Sequence, residues 1–548
     1  AEAKIIVLRD RGRFSDAIRA IEASKLDPVV RSTLAISVRL AERVGGRSIQ
    51  DRQDAEADAL ARARSLRGSS RPEAKLALND LARTIDRPSR TAEPEDWDVL
   101  AEGALSLGDF TRASRLASGG ADRARSLSRP EEAARLRYRA AAILFQADDF
   151  AGADDLLGRI VADPKVGPFQ AKAGMLRALA RAKALDAGID GASRELYVTA
   201  LRDQVRNFPE ESVTGEALWL LGQAEREDGR SDAAVELWKA IEPAHPRWLD
   251  ARLAVADENQ RLLDELRIGG DSASVRARFR EAAAFLRESS RLADDVAQTM
   301  ELDLAAARLD VTPNQGRFEL ARLLADRLTR QAGTPEQHAR ARTILIVGQA
   351  LSQKYTDAEK SVADDSGRAP VQELLLAAQL LDQAASESES EVSRTRIGRL
   401  VRTITEALSG RTQGTSIGFQ QAVKLRAIRA ALLMNELEAA RRELRRPPEL
   451  DPRQLDASML RDLSDALIRL EAFGLAVDVE RFRARTLKPG SPAWVESRYV
   501  LALAFYRDGR PDRARPVLDA LAILHPDLGG ARLKEKIERL QQKLNAGQ

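Results

Sequence analysis

Gly414-Thr415-Ser416-Ile417-Gly418 has the spacing of a nucleophile elbow, in which a serine sits on a tight turn between a strand and a helix with its oxygen clear of the backbone. Acyl transfer from such a serine needs a base. Only three histidines occur, His245, His338 and His525, and His525 alone lies downstream. The element before the motif, Ile404–Leu408, reads as helix rather than strand, so Ser416 is expected to cap a helix. His245 and His525 each precede a proline in equivalent surroundings and are read as helix-end residues suited to the C-terminal dipole. No His-Glu-x-x-His run, no Gly-x-x-x-x-Gly-Lys-Ser/Thr loop and no Gly-x-Gly-x-x-Gly turn is present. Cysteine is absent, which removes thiolate nucleophiles, disulfides and cysteine metal sites. The expectation is a protein with no catalytic residue, no metal and no cofactor. The alternative enzyme reading is a carboxylate pair in the irregular middle of the chain.

Charge supplies the other chemistry. Residues 357–391 carry nine acidic and two basic side chains, including the alternating Ser-Glu run from Ser386 to Glu391. Residues 394–446 carry twelve basic and four acidic ones. The plain reading is an exposed acidic loop followed by arginine-coated helices. The sharper one is a basic patch of Arg394, Arg396, Arg399, Arg402, Arg426, Arg429, Arg441, Arg442, Arg445 and Arg446, whose guanidinium forks suit carboxylates and phosphates. Such a patch would receive an acidic peptide, or an anionic polymer such as nucleic acid. The net charge is only +3, so no global field is dedicated to nucleic acid.

The elements that must position these residues are helical. Aromatics are 4% of the chain and charged residues 31%, with alanine, leucine and arginine abundant, a mixture that loses little rotamer freedom in a helix. The excess of arginine over lysine is the mark of a GC-rich genome, expected to be bacterial. One pattern recurs at long range: "DGRSDAAVELWKAIEPAHP" at 228–246 and "DGRPDRARPVLDALAILHP" at 508–526. Aligned copies set Gly222, Ala234 and Pro246 against Ala502, Ala514 and Pro526. Further copies carry Trp97, Ala101, Gly108, Phe110 and Ala113, then Phe150 and Ala153, Gly12, Phe14 and Ala17, and Ala440 and Ala476. Small residues are expected where helices cross, and Pro246 and Pro526 are expected to end second helices.

This pattern resembles the tetratricopeptide repeat family, in a degenerate form with hairpins longer than the family's standard unit. The resemblance implies an all-α, right-handed superhelical solenoid of antiparallel helix hairpins, thirteen to fifteen in number. It also implies a concave groove that binds a protein or peptide segment, although no match to the family's asparagine-containing carboxylate clamp can be assigned. The expected organisation is regular repeats over 1–250, irregular helical repeats over 251–410, and regular repeats over 411–548 closed by a polar capping helix. Helical periodicity marks Arg276–Ala297, Arg317–Gln331, Arg340–Gln353, Val371–Ala385 and Ile397–Leu408. Capping boxes are expected at Ser70–Glu73, Ser128–Glu131 and Thr334–Gln337, with Ser491 capping the helix before Trp494.

The function expected is a non-catalytic scaffold for protein–protein interaction, with an anionic-polymer receptor centred on 394–446 as the alternative. No membrane span is expected, and a disulfide-free chain suits cytoplasm and periplasm alike. The start at Ala1-Glu2-Ala3 without Met, already inside a helical pattern, points to a processed or truncated chain.

Overall fold

The computed structural model describes residues 1–546 other than 47, 90, 313–316, 332 and 366. Among the described residues every α-helix is joined to the next by turns or loops, and there is no strand. Two compact units divide the chain, Ala1–Arg230 and Ser231–Gln548. The first holds α1 (Glu2–Asp10), α2 (Phe14–Glu22), α3 (Pro28–Gly45), α4 (Ile49–Arg64), α5 (Pro72–Thr84), α6 (Pro94–Ser106), α7 (Phe110–Ser126), α8 (Pro130–Gln146), α9 (Phe150–Val161), α10 (Phe169–Asp186), α11 (Arg194–Asn207) and α12 (Thr214–Glu227). The second opens with α13 (Ser231–Lys239), α14 (Trp248–Gly269), α15 (Ser272–Leu292), α16 (Val296–Asp310), α17 (Phe318–Leu328), α18 (Pro335–Leu351), α19 (Tyr355–Asp365) and α20 (Val371–Glu387). It continues with α21 (Glu391–Ser409), α22 (Ile417–Leu433), α23 (Leu437–Arg445), α24 (Ala457–Arg469), α25 (Phe473–Thr486), α26 (Pro492–Arg507), α27 (Pro511–Leu524) and α28 (Ala531–Ala546). The described residues thus form twenty-eight α-helices, most of which pack on the next in the chain.

One turn closes helix after helix. Among the described residues Gly12, Gly108, Ser128, Asp148, Gly229, Gly270, Gln353, Asn435, Glu471 and Gly509 all have left-handed φ, and each stands two residues before the next helix begins. In every case the following N–H donates to the carbonyl five residues back, as Asp109 does to Ala104 and Ala472 to Leu467. That is the Schellman closure of a helix, which satisfies carbonyls the helix leaves open.

Packing follows from small residues at crossings. Ala101, Ala113, Ala153, Ala234, Ala440, Ala476, Ala502 and Ala514 are all fully buried, Gly222 is buried, and Trp97 lies half-buried against Gly119 and Gly120. A methyl group at Gly103 would stand 2.2 Å from the Leu78 carbonyl oxygen, so α5 and α6 meet backbone to backbone there. Within the second unit the even-numbered helices from α14 to α24 also touch one another one pair on, and Arg461 carries the link from α24 to Glu496 of α26 at 2.7 Å. This layer turns back on itself. The first long helix, α14, contacts α26 and α28, and its Asp264 accepts from Gln383 of α20 at 3.4 Å while Arg267 pairs with Glu387. The closing helix α28 buries Leu533, Ile537, Leu540 and Leu544 on one face and leaves its charges outside, the amphipathic cap expected of the tail.

Several expectations are corrected. Ser70 and Ser128 form no capping box, because the proline two residues later occupies the first helical position and makes Arg71 and Arg129 the N-caps. In Thr334-Pro335 the proline follows directly, and there the reciprocal box forms. Pro526 lies just past the end of α27, but α13 stops at Lys239, well before Pro246, so His245 is a loop residue. The segment 357–391 is not an exposed loop but forms most of α19, all of α20 and the first residue of α21. The periodicity read over Arg276–Ala297 is broken at Ala293, where the chain is extended before Asp295 caps α16.

Substituting Ala514→Trp or Gly103→Ala is expected to lower stability by about 1–3 kcal/mol, since neither crossing has room for added atoms. Exposed Ala522→Trp on the same helix α27 should stay within about 0.5 kcal/mol. Urea denaturation followed by circular dichroism compares the three midpoints.

Candidate binding surface

The ten arginines of the expected basic patch divide into two sets. Arg394, Arg396, Arg399 and Arg402 lie on α21, and Arg441, Arg442 and Arg445 on α23 with Arg446 just after it; all are exposed or half-buried. Acids interleave with them: Arg402 pairs with Glu436, Arg441 with Glu438 at 2.7 Å and Arg446 with Glu443 at 3.4 Å. Arg396 lies over the Tyr355 ring. Arg426 and Arg429 are elsewhere. Both lie on α22, at 3% and 6% exposure, and face Asp382 of α20, which is 0% exposed.

Asp382 Oδ2 accepts from Arg429 Nε at 2.5 Å and from Arg426. Arg426 continues to Asp462 at 2.6 Å, and Arg429 to Asp465 at 3.2 Å and to Ser386 Oγ at 2.7 Å, so a continuous charged lattice ties α20, α22 and α24 together. Burial works against both guanidinium charges, yet Asp382 and Asp462 hold them above the ordinary arginine range. Against the same burial, Arg429 and Arg426 hold the Asp462 carboxyl below its ordinary value. The first unit repeats the device. Asp98 of α6, fully buried, is gripped by Arg67 at 2.7 Å and by Arg135 and Arg139 of α8 at 2.9 and 2.5 Å. Removing one member of such a lattice strands buried charge, so its chemistry is structural cohesion.

A cavity of about 190 Å³ opens in the irregular middle of the sequence, lined wholly by the even helices α14, α16, α18 and α20. Leu253, Leu304, Leu376 and Leu380 give it apolar walls. Glu301 is engaged by Arg340 and by Gln337 Nε2 at 2.8 Å, and Asp257 faces Arg308 at 3.9 Å. Glu373 differs: its Oε2 is buried with no hydrogen-bond partner. Burial pushes its carboxyl up, with Arg340, the Thr343 hydroxyl and Arg308 opposing. Sequence reasoning did not single out Glu373, although a lone acid opening the apolar run Glu373-Leu374-Leu375-Leu376 was a usable signal.

Ser416 caps α22, accepting from the Phe419 N–H at 3.3 Å, and the element before it is α21, so no strand presents it as a nucleophile. Ser491 caps α26 through Trp494. His245 Nδ1 accepts from the Arg247 N–H at 3.1 Å, and His525 stacks edge-on against Trp494 at 5.2 Å. Among the described residues no group of three or more histidine, aspartate or glutamate side chains could hold a metal, and no helix is long and apolar enough to cross a membrane.

No protein-family model matches the sequence, and no curated protein matches it. Solved structures similar to it include two large assemblies. The crystal structure of the APC/C hetero-tetramer Cut9-Hcn1 matches at 15% identity, covering 93% of this chain and 99% of that one, with a TM-score of 0.20. The structure of Naa15/Naa10 bound to HypK-THB matches at 12% identity, covering 100% and 91%, with a TM-score of 0.28. The fold itself rests on the repeated hairpin and its shared turn, which make each unit an all-α, tetratricopeptide-like array of helices.

The Asp382→Asn variant is expected to lose about 3–5 kcal/mol, because Arg426 and Arg429 stay buried without their central anion. Replacing the whole charged set by apolar residues, Asp382→Leu with Arg426→Met, Arg429→Met and Asp462→Leu, should cost less, since no counter-charge is then left stranded. Asp462 adds a pH signature: its folded carboxyl titrates below its unfolded one, so its stabilisation is complete above about pH 4 and is lost as the pH falls through the lower folded value. Asp310 and Glu480, pushed up by burial, act with the opposite sign, so the measurement is the difference between the native chain and Asp462→Asn in urea midpoints across acid pH.

Proposed function

We propose that the protein is a non-catalytic scaffold for protein–protein interaction, and that a partner segment lies along the wall built by α14, α16, α18 and α20. The observation that carries this reading is the cavity on that wall, lined only by helices of one layer that pack on one another. A tandem array offers such a surface because each hairpin contributes one helix to a continuous face. Apolar leucines between charged pairs on that face supply the mix of anchoring and orienting groups that peptide-binding grooves use.

The second reading, a receptor for an anionic polymer, is supported by exposed Arg396 and Arg399 on α21 and exposed Arg442, Arg445 and Arg446 at α23. Its footing is narrower than the sequence suggested, since Arg426 and Arg429 are committed inside the lattice.

A photo-crosslinking residue at Leu376 is expected to capture a partner in cell extract, whereas one at exposed Leu475 of α25 should not. Mass spectrometry identifies the crosslinked peptides. Capture only from Leu475, or from neither position, would sink the scaffold reading. Binding that falls steeply with salt and vanishes when Arg442, Arg445 and Arg446 are changed to Glu would establish the polymer reading in its place.

A further inference from the structure

We propose that the groove between α26 and α28 is a binding site for a phosphomonoester, held with its aromatic or apolar body beside the phosphate. The groove has a volume of about 850 Å³, within the range of pockets that enclose a small ligand. Tyr499, Leu503, Tyr506 and Arg507 of α26 form one wall, and Lys536, Arg539 and Lys543 of α28 the other. Within each set the residues recur at steps of three and four, or stand side by side, which puts them on one face of their helix. The groove shares no residue with the cavity of α14, α16, α18 and α20 or with the exposed arginines of α21 and α23, and the inference rests on neither of those readings.

Charge selects an anion. Four cations line the groove, Arg507, Lys536, Arg539 and Lys543, and no carboxylate does. All four side chains are exposed, so their charged ends are open to a ligand. Arg539 pairs with Glu535, while Arg507, Lys536 and Lys543 make no ion pair among the described residues. The acids behind the groove are already engaged: Asp508 pairs with Arg510, Glu496 with Arg461 at 2.7 Å and Arg483 at 2.9 Å, and Asp465 with Arg429 at 3.2 Å. Burial, with the like charges of Arg532 and Arg461, pushes the Lys536 ammonium below its ordinary range, and Glu496 and Asp465 oppose it. A phosphomonoester brings close to two negative charges at neutral pH and three acceptor oxygens. That matches three unpaired cations better than the single charge of a carboxylate. Tyr499 and Tyr506 add neutral donors, since both are half-buried and neither hydroxyl makes a hydrogen bond among the described residues. Burial pushes the Tyr499 hydroxyl up and Arg507 opposes, which puts a cation close to that donor. The tyrosine rings and Leu503 supply a face for the body of the ester.

The test is isothermal titration calorimetry on the full chain with phenyl phosphate, benzoate and benzyl alcohol as probes. Saturable binding of phenyl phosphate is expected, about tenfold or more tighter than benzoate, with no binding of benzyl alcohol. Arg507→Gln and Lys543→Gln should each weaken phenyl phosphate about tenfold, through loss of one charge-assisted contact. Both side chains are exposed and unpaired, so the two variants should keep the helical circular dichroism of the native chain. Lys534→Gln, exposed on α28 outside the groove, and the change of Arg442, Arg445 and Arg446 to Glu should leave binding within about twofold, as salt screens distant charge. Equal binding of benzoate and phenyl phosphate, equal weakening by Lys534→Gln and Lys543→Gln, or no saturable binding of phenyl phosphate would overturn the proposal. N-acetyl-phosphotyrosine-N-methylamide and adenosine monophosphate separate the sources of the group. Tighter binding of the first assigns a phosphorylated side chain, and tighter binding of the second assigns a free nucleotide.

Discussion

Close approach of helices across small side chains is the constraint on which the rest of this structure depends. With aromatics at 4% of the chain, the fold gathers its stability from many alanine and leucine contacts. Gly103 meets the Leu78 carbonyl, Gly348 lies 3.1 Å from the backbone of Arg322 and Gly398 lies 3.0 Å from Leu433, each distance being that of an added methyl. Such surfaces bring axes close, and dispersion and burial then accumulate over the length of each helix. They also carry little register information, because one alanine looks like the next.

The buried arginine lattices supply what the alanines lack. Asp98 and Asp382 sit on even helices and are held by arginines from the next even helix, so each lattice spans one repeat and fixes which turn faces which. A slip of one helical turn would strand Asp382 from both guanidiniums, a far larger penalty than the same slip imposes on an alanine seam. The closing contacts of the second unit use both devices. Gly270 stands where a methyl group would lie 2.4 Å from Arg532 Cβ, Ile268 joins the C-terminal core, and Arg267 and Asp264 bind across to α20.

How much of this could be read from the residues depends on which physical signal each element carries. The hairpins at Gly108, Gly229 and Gly509 were legible because glycine advertises a left-handed turn. The same turn is made by Ser128, Asp148, Gln353, Asn435 and Glu471, where no glycine marks it, and this is why the array reads as degenerate. The helices α16 and α19 went unread for want of a repeat register, although Asp295 was available as a cap. Arg426 and Arg429 were read as surface charge because an arginine on paper is a cation in water. The sign of their burial was their setting, the run Gln421–Leu433 with no acid in it, which becomes a helix buried on nearly every side.

Carboxylates removed from water here are held by neighbouring guanidinium charge rather than by a full complement of hydrogen bonds. Asp382 also has an oxygen, Oδ1, without a hydrogen bond, but two guanidiniums crowd its other oxygen and the lining of the cavity does not include it. Its orphan oxygen is the residue of a lattice already closed by charge. Glu373 Oε2 is equally without a hydrogen bond, while Arg340, Thr343 and Arg308 oppose the upward push of burial on its carboxyl. Nearby guanidinium charge, and not a full count of hydrogen bonds, therefore decides how these carboxylates are held, since Asp382 and Glu373 each keep one oxygen without a hydrogen bond.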